Sequence, residues 1–328
     1  MNNTTKNTNI NTNNRFLDIV IAGPDFSGTT TQINNIIEYF KNKNLKVKDL
    51  RGTEIDALFH AMKFSDINSK YASLKEMLDY KNTTPNLKAH FFEEAYNLLS
   101  GKDNAQDLLV ASMINNDCTT YINPDSADVW ILEEPTRRAA GQMNRVIEQN
   151  KSKFNSGIDA YSAALTHQAY RTDEFLRFRK PLRNHNKIII RSRSEESACY
   201  QIFDEDIIRS GVKLDDYLNL PGHKIAFANP PTDIFVVCGP ENWNQEEYLK
   251  LKELRVGTRI QDDHEKDYSY QLLVNKRYAS TWLEELYQKG CQKHNSKVPT
   301  IHRFDIYHSK NEIKKEMDEL LDKILSNR

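Results

Sequence analysis

A glycine-rich stretch near the start of the chain has the residues and spacing of a phosphate-binding loop. Apolar β-forming residues up to Ala22 precede Gly23, four further residues, Gly28 and three threonines, and apolar residues at helical spacing follow. A glycine loop between a strand and a helix offers backbone N–H groups and a helix N-terminus to an anion. We therefore expect nucleotide phosphates to bind Gly23, Pro24, Phe26, Ser27, Gly28, Thr29, Thr30 and Thr31.

The loop lacks the lysine that usually follows its second glycine and reaches the β- and γ-phosphates. Thr29 occupies that position, and Thr30 or Thr29 could supply the hydroxyl that binds Mg²⁺. Asp25 lies where a carboxylate could hold a metal-bound water near an acceptor phosphate; alternatively, it satisfies its own backbone in a turn. The sequence thus predicts a phosphate and magnesium site, and any positive charge in place of the lysine has to come from elsewhere.

A second block, VWILEEPTRRAAGQMNR, joins a predicted strand to paired carboxylates, a proline and several arginines. Open α/β sheets bind ligands at the carboxyl ends of their strands. Glu134, Pro135 and Arg145 are therefore candidates for contacting a ligand. The alternative is a solvated charged turn without a ligand.

A third block combines aromatic, amide and arginine side chains around the end of another predicted strand. These types suit a base and a monophosphate, because arginine forks match phosphate oxygens. The candidates for contacting a base and a monophosphate are His167, Arg171, Arg191, Arg193, Ser197, Tyr200 and Gln201; Arg193, like Asp25, is also a candidate catalytic residue.

A fourth block, NQEEYLKLKELRVGTRIQDDHE, carries Arg255 and Arg259 four residues apart, as on one helix face, followed by a polar segment. Such a segment can close over a triphosphate and bring arginines to it, and phosphoryl transfer depends mostly on positioning and charge neutralisation. We expect both arginines to be catalytic. Taken alone, the block also fits a solvated helix.

Apolar strands alternate with amphipathic helices along the chain, which predicts an α/β fold with a parallel sheet and helices on both faces. The candidate strands are Asp18–Ala22, Lys46–Leu50, Asp128–Leu132, Lys187–Arg191 and Asp233–Cys238, and the candidate helices begin near Thr30, Gly141, Ile158, Asn242 and Lys310. Residues 51–127 break this alternation and predict a mostly helical insertion within a domain of residues 15–328. The Asn- and Thr-rich residues 1–14 predict a disordered tail.

Composition excludes several classes of protein. The net charge of −1 argues against a nucleic-acid or membrane partner. The four cysteines are scattered, without a CxxC pair, which argues against a zinc site or a disulfide framework. We find neither a secretory signal nor a membrane-spanning stretch, so we expect a cytoplasmic protein.

Together and in this order, the blocks resemble thymidylate kinase, a family of P-loop nucleoside-monophosphate kinases. The resemblance covers about residues 16–50 and from residue 128 to the C-terminus. GPDFSGTTTQ is similar to the family's GxDxSGKSTQ loop, EEPTRRAAG to its REPGGTxxG segment, and AYR to its ADR. RSRSEESACYQ resembles DRYxxSSxAYQ, and RVGTRIQDDHE resembles the arginine-bearing lid.

The resemblance implies a P-loop NTPase-type fold with a lid, and ATP- and Mg²⁺-dependent phosphorylation of dTMP to dTDP, a step of nucleotide biosynthesis. We also expect a homodimer. By the resemblance, Asp25 would lie beside the acceptor phosphate and the metal, and Glu265 on the metal side. Arg193 would grip the substrate phosphate, while Arg255 and Arg259 would approach the transferred phosphoryl group.

The resemblance also implies roles in the acceptor pocket. Glu134 and Pro135 would shape the monophosphate pocket, and Arg171 would hydrogen-bond the base. Tyr200 would lie against the deoxyribose, with Gln201 nearby.

The chain departs from the family pattern at five of these positions, occupied by Thr29, Glu133, His167, Tyr170 and Ser192. The stretch after the fourth strand is also one residue short, which leaves Arg191 as an alternative to Arg193. Two other functions stay open. One is a catalytically impaired nucleotide-binding or regulatory protein on the same fold; the other is a deoxynucleoside kinase, whose strand likewise ends in an arginine–serine pair such as Arg191–Ser192.

Overall fold

The fold is built on a six-stranded sheet in which all paired strands are parallel. The computed structural model describes residues 16–51, 122–135, 160–202, 212–256 and 267–327. Its strands are β1 (Leu17–Ala22), β2 (Val47–Asp49), β3 (Val129–Glu133), β4 (Ile188–Ser192), β5 (Asp233–Cys238) and β6 (Thr300–Asp305). They lie in the order β2-β3-β4-β1-β5-β6, so β1 is at the centre.

Helices connect these strands. In the described residues they are α1 (Thr29–Asn42), α2 (Ala160–Glu174), α3 (Lys180–Asn184), α4 (Ala198–Gln201), α5 (Leu214–Asn219), α6 (Pro221–Ala228), α7 (Gln245–Val256), α8 (Tyr268–Ala279), α9 (Trp282–His294) and α10 (Lys310–Ser326). A π-helical turn, Phe175–Arg179, joins α2 to α3. Short 3₁₀ helices cover Pro124–Ser126 and Glu195–Ser197.

Both faces of the sheet are covered, because side chains alternate between two cores along each strand. In β1, Val20 and Ala22 enter the core shared with α6, α8 and α9, whereas Leu17, Ile19 and Ile21 enter the core shared with α1 and α10. The predicted α/β sheet with helices on both faces is therefore confirmed.

The predicted strands all occur, with small differences at their ends, and β5 has the predicted bounds. The sixth strand, β6, was not predicted. The described part of the helix expected near Ile158 covers Ala160–Glu174. The helix expected near Asn242 begins at Gln245, and α4, α5, α6, α8 and α9 were not predicted. The tail, the helix near Gly141 and most of the 51–127 insertion lie outside the described residues.

The strand register brings four loops to one edge of the sheet. Ile21 of β1 lies beside Ser192 of β4, which in turn lies beside Glu133 of β3. Ala22 lies beside Val236 of β5. The loops that follow these strands therefore share the carboxyl edge, where open parallel sheets bind ligands. Within the described residues, none of the helices combines the length and apolar character needed to cross a bilayer.

Candidate functional site

The glycine loop follows the central strand and packs too closely for other residue types at its first glycine. Gly23 has φ +152°, and a Cβ there would lie 2.3 Å from the carbonyl oxygen of Val237. The Ser27 amide donates to the carbonyl of Pro24 at 3.1 Å, which closes the turn. Gly28 has φ +84°, a left-handed conformation that glycine adopts at little cost. With this strand, loop and helix on an all-parallel sheet, the fold is of the P-loop NTPase type.

The first turn of α1 presents backbone donors that no described side chain caps. Gly28 is the N-cap residue, and the turn contains no acidic residue. Thr29, Thr30 and Thr31 lie in this turn and are partly exposed. Uncapped N–H groups and the positive end of the helix dipole favour a bound anion here.

Asp25 carries the main polar contacts of the loop. Its Oδ1 accepts from Arg193 Nη2 at 2.7 Å, and its Oδ2 accepts from Gln271 Nε2 at 2.7 Å. The Arg193 guanidinium also lies 4.5 Å from the centre of the Tyr200 ring, whose hydroxyl donates to the Gly23 carbonyl. The side chain of Asp25 is thus bound by other elements rather than by its own turn.

The two arginines at the end of β4 have different surroundings. Arg191 is fully buried and pairs with Asp18 at 2.8 Å and with Glu195 at 3.6 Å. Arg179 pairs with the same two carboxylates, at 3.1 and 3.2 Å. Arg191 is therefore held in an internal ion cluster, and Arg193 is the arginine that lies against the glycine loop.

Arg171 and Glu134 form a buried ion pair beneath the loop after β3. Only 2% of the Arg171 side chain and 4% of the Glu134 side chain are exposed, so Glu134 is not part of a solvated turn. Arg171 Nη1 also donates to His223 Nδ1 at 2.7 Å. Burial and the Arg171 charge lower the pKa of His223 well below its usual value, so this imidazole is neutral.

A chain of hydrogen bonds connects the other acceptor candidates to this ion pair. Gln201 Nε2 lies 3.1 Å from His167 Nε2, and His167 Nδ1 lies 2.7 Å from the Tyr170 hydroxyl. The Tyr170 hydroxyl donates to Glu134 Oε1 at 3.2 Å. Because an amide nitrogen only donates, Nε2 of His167 accepts and Nδ1 carries the proton. Pro135 follows Glu134 in a cis peptide.

Substitution of Arg171 with alanine is expected to destabilise the fold by about 3–5 kcal/mol, because it would leave the buried Glu134 carboxylate without its cation. Denaturant unfolding would measure this loss. Lys250→Ala is the control, since it removes one partner of the exposed pair with Glu246 and should leave the midpoint nearly unchanged. Equal midpoints for the two variants would contradict a structural role for the buried pair.

Arg255, near the end of α7, reaches the glycine loop from the other side. Its Nη1 donates to the Phe26 carbonyl at 2.8 Å, and its Nη2 donates to the Ile306 carbonyl at 2.6 Å. A Cβ at Gly28 would lie 3.9 Å from this guanidinium. Lys252 Nζ lies 5.6 Å from the centre of the Phe26 ring. The end of α7 therefore brings positive charge to the loop and is not solely a solvated helix.

Arg145, Arg259 and Glu265 lie outside the described residues. Ser197 ends a 3₁₀ helix next to α4, which carries Tyr200 and Gln201. Within the parts of the chain described, no group of three or more His, Cys, Asp or Glu side chains is arranged to hold a metal ion.

Two site residues were missed from the sequence, Gln271 and His223. Gln271 and Asn275 stand one turn apart among apolar residues in YSYQLLVNKRYA, and amides at core positions could have signalled a structural contact. His223 lies in PGHKIAFA, a short helix with no comparable signal.

No protein-family model matches the chain, and no curated protein matches its sequence. Among solved structures, the chain is similar to a thymidylate kinase from Ehrlichia chaffeensis. The identity is 14%, the match covers 94% of this chain and 99% of the other, and the TM-score is 0.42.

Proposed function

We propose that this protein is an ATP-dependent nucleoside-monophosphate kinase, with dTMP as the preferred acceptor. The observation that supports this function is Arg193, whose guanidinium pairs with Asp25 of the glycine loop that leads into the N-terminus of α1. A donor phosphate at the helix N-terminus and an acceptor phosphate on an arginine are the two anion sites that phosphoryl transfer between nucleotides requires. The remaining roles follow from this arrangement.

The chain's own groups act mainly by positioning. Loop amides and the first turn of α1 hold the donor phosphates, and Arg193 exchanges the Asp25 carboxylate for an acceptor phosphate oxygen. Held close together, the two phosphates react with a lower entropic barrier. On the other side of the loop, Arg255 lies close to Gly28, where a cation can neutralise charge on the donor.

The residues present are compatible with Mg²⁺ bound together with a nucleotide. Magnesium in such sites takes most of its oxygen ligands from phosphates and water, so few protein groups are needed. Thr30 would provide a hydroxyl in the first turn of α1, and Asp25 a carboxylate that contacts metal-bound water. Magnesium would supply charge neutralisation on the phosphates.

The base preference rests on the polar chain that runs from Gln201 through His167 to Glu134 and Arg171. Amide and imidazole groups can read the edge of a pyrimidine, and Arg171 could hydrogen-bond its carbonyl. Selection of a monophosphate over a nucleoside follows from Arg193, since a nucleoside has no phosphate for that guanidinium to bind.

A second candidate is a nucleotide-binding protein without turnover. It is favoured by Thr29, which carries no charge where the lysine usually stands. The arginines near the loop favour it too, because both already bind protein groups in place of a phosphate. Arg193 is paired with Asp25, and Arg255 donates to two carbonyls. Both candidates predict that the loop binds ATP.

One assay separates these functions: ATP consumption with dTMP, dUMP, dCMP or thymidine as acceptor. We expect turnover with dTMP, weaker turnover with the other monophosphates, and none with thymidine. In parallel, ATP at about 100 times its Kd should stabilise the fold by roughly 2.7 kcal/mol, because it binds only the native state. ATP stabilisation without turnover on any acceptor would support the second candidate, and no stabilisation would contradict both.

A further inference from the structure

Gln271 makes a two-point contact with Asp25. Its Nε2 donates to Asp25 Oδ2 at 2.7 Å, and its Oε1 accepts from the Asp25 amide at 3.3 Å. The primary amide therefore binds both the side chain and the backbone of one loop residue. The Gln271 side chain itself is fully buried.

The helix that carries Gln271 is fixed to three of the loops at the carboxyl edge. One turn later, the buried Asn275 accepts from the Gly239 amide at 2.8 Å and donates to the Pro240 carbonyl at 2.8 Å. Tyr270 donates to the Tyr200 carbonyl at 2.7 Å. Because α8 is fixed in this way, the position of the Gln271 amide relative to the glycine loop is also fixed.

The contact gives the two oxygens of Asp25 different partners. Oδ2 is bound by Gln271, and Oδ1 by one nitrogen of Arg193. Carboxylates and guanidiniums otherwise favour a bidentate pairing, with two parallel hydrogen bonds. Because Gln271 binds both Oδ2 and the Asp25 amide, it fixes the carboxylate in the orientation in which Arg193 contacts only Oδ1, and a phosphate oxygen has to displace that one contact.

We propose that Gln271 is a positioning residue, which prevents Asp25 from closing onto Arg193 with both oxygens and so keeps Arg193 available to the phosphate of the acceptor. This role rests on the proposed function, in which Arg193 binds that phosphate. Gln271 itself touches neither nucleotide in this role and acts through Asp25.

Acceptor binding provides the first test, with dTMP as the probe and calorimetry as the measurement. Gln271→Leu should weaken dTMP binding about tenfold, because the phosphate of dTMP would then have to displace a second charge-assisted hydrogen bond between Asp25 and Arg193. ATP affinity should change by less than roughly twofold. In an Asp25→Ala background, where no carboxylate competes, Gln271→Leu should have no further effect on dTMP. An equal loss in that background would overturn the proposal.

Asn275→Leu is the matched control, because it removes an equally buried amide from the same helix without touching Asp25. We expect it to lower the melting temperature as Gln271→Leu does and to weaken dTMP binding much less, because the contacts of Gln271 with Asp25 and of Tyr270 with Tyr200 still hold α8 in place. Should Gln271→Leu not fold, Gln271→Met keeps the length of the side chain and also loses the donor to Oδ2. It should also weaken dTMP binding.

A measurement on the protein without ligand separates this proposal from the proposed function. A double-mutant cycle of Asp25→Ala and Arg193→Ala gives the interaction free energy of the Asp25–Arg193 pair from the free energies of unfolding. This interaction free energy should be larger when residue 271 is leucine, because Asp25 and Arg193 can then form two hydrogen bonds. Unchanged coupling would refute the role of Gln271 even if the protein is a kinase. Larger coupling in a protein that binds no dTMP would support the role and contradict the acceptor assignment.

Discussion

Arg193→Ala is expected to lower kcat/KM for dTMP by on the order of 10²–10³, the typical cost of removing one donor from a reacting anion. The reason is the position of its guanidinium, which donates to Asp25 of the glycine loop through one nitrogen and lies against the Tyr200 ring. ATP affinity should change little, because it depends on backbone amides of the loop and on the N-terminus of α1. Initial rates and ATP binding by calorimetry would measure the two effects separately.

Arg193→Lys provides the control for charge. Lysine keeps the positive charge but lacks the planar fork, so we expect activity between that of the wild type and Arg193→Ala. Asp25→Ala/Arg193→Ala shows whether an unpaired Asp25 carboxylate is responsible for the loss. If Arg193→Ala weakens ATP binding as much as it slows turnover, Arg193 belongs to the donor site and its assignment to the acceptor is wrong.

Most of the sheet could be predicted from the sequence because central strands are continuous apolar runs. β1, β4 and β5 are buried on both faces, and their sequences, LDIVIA, IIIRS and DIFVVC, show it. Among the described strands, β6 lies at the edge of the sheet beside β5 and exposes several residues. Its sequence, TIHRFD, therefore has neither a continuous apolar run nor a clear alternation, and it was missed.

In the candidate site, features formed by contiguous residues could likewise be predicted, whereas contacts between residues far apart in the sequence could not. The loop from Gly23 to Thr31 could be predicted because its strand, glycines and helix are contiguous. The contact between Asp25 and Gln271 spans 246 residues and depends on how α8 packs. Arg171 could be identified as a site candidate, but its buried pairing with Glu134 could not, since a sequence does not show which charges are removed from water together.

Arg255→Ala is expected to reduce turnover by on the order of 10³ or more while changing ATP affinity much less, as when a transition-state cation is removed. Phosphoryl transfer needs a cation near the phosphate oxygens, and a lysine at a fixed sequence position is not required. Arg255 reaches the loop next to Gly28. The two hydrogen bonds to Phe26 and Ile306 use two of the five N–H donors of a guanidinium. Steady-state kinetics and ATP calorimetry would test this expectation.

The surroundings of Arg255 strengthen its electrostatic effect. Burial lowers the pKa of this arginine, which means that part of its hydration has been lost. A cation in such surroundings acts more strongly on a nearby phosphate than one in bulk water. Lys252→Ala is the control, because it removes a charge from the same helix near the same loop. We expect Lys252→Ala to reduce turnover much less than Arg255→Ala does. Equal reductions would indicate that turnover depends on the total positive charge near the loop rather than on the Arg255 guanidinium.

Thr29→Lys decides whether Arg255 compensates for the missing lysine or only supports the loop through its two carbonyl contacts. In the wild type, this substitution should be tolerated or mildly activating, because a second cation then shares the task. In the Arg255→Ala background, Thr29→Lys should restore much of the lost turnover if Arg255 acts through its positive charge. It should restore nothing if Arg255 acts by supporting the loop through its two carbonyl contacts. A wild type that transfers no phosphoryl group, together with an active Thr29→Lys variant, would show that neither Arg255 nor Arg259 replaces the lysine, and that the protein binds nucleotide without turning it over.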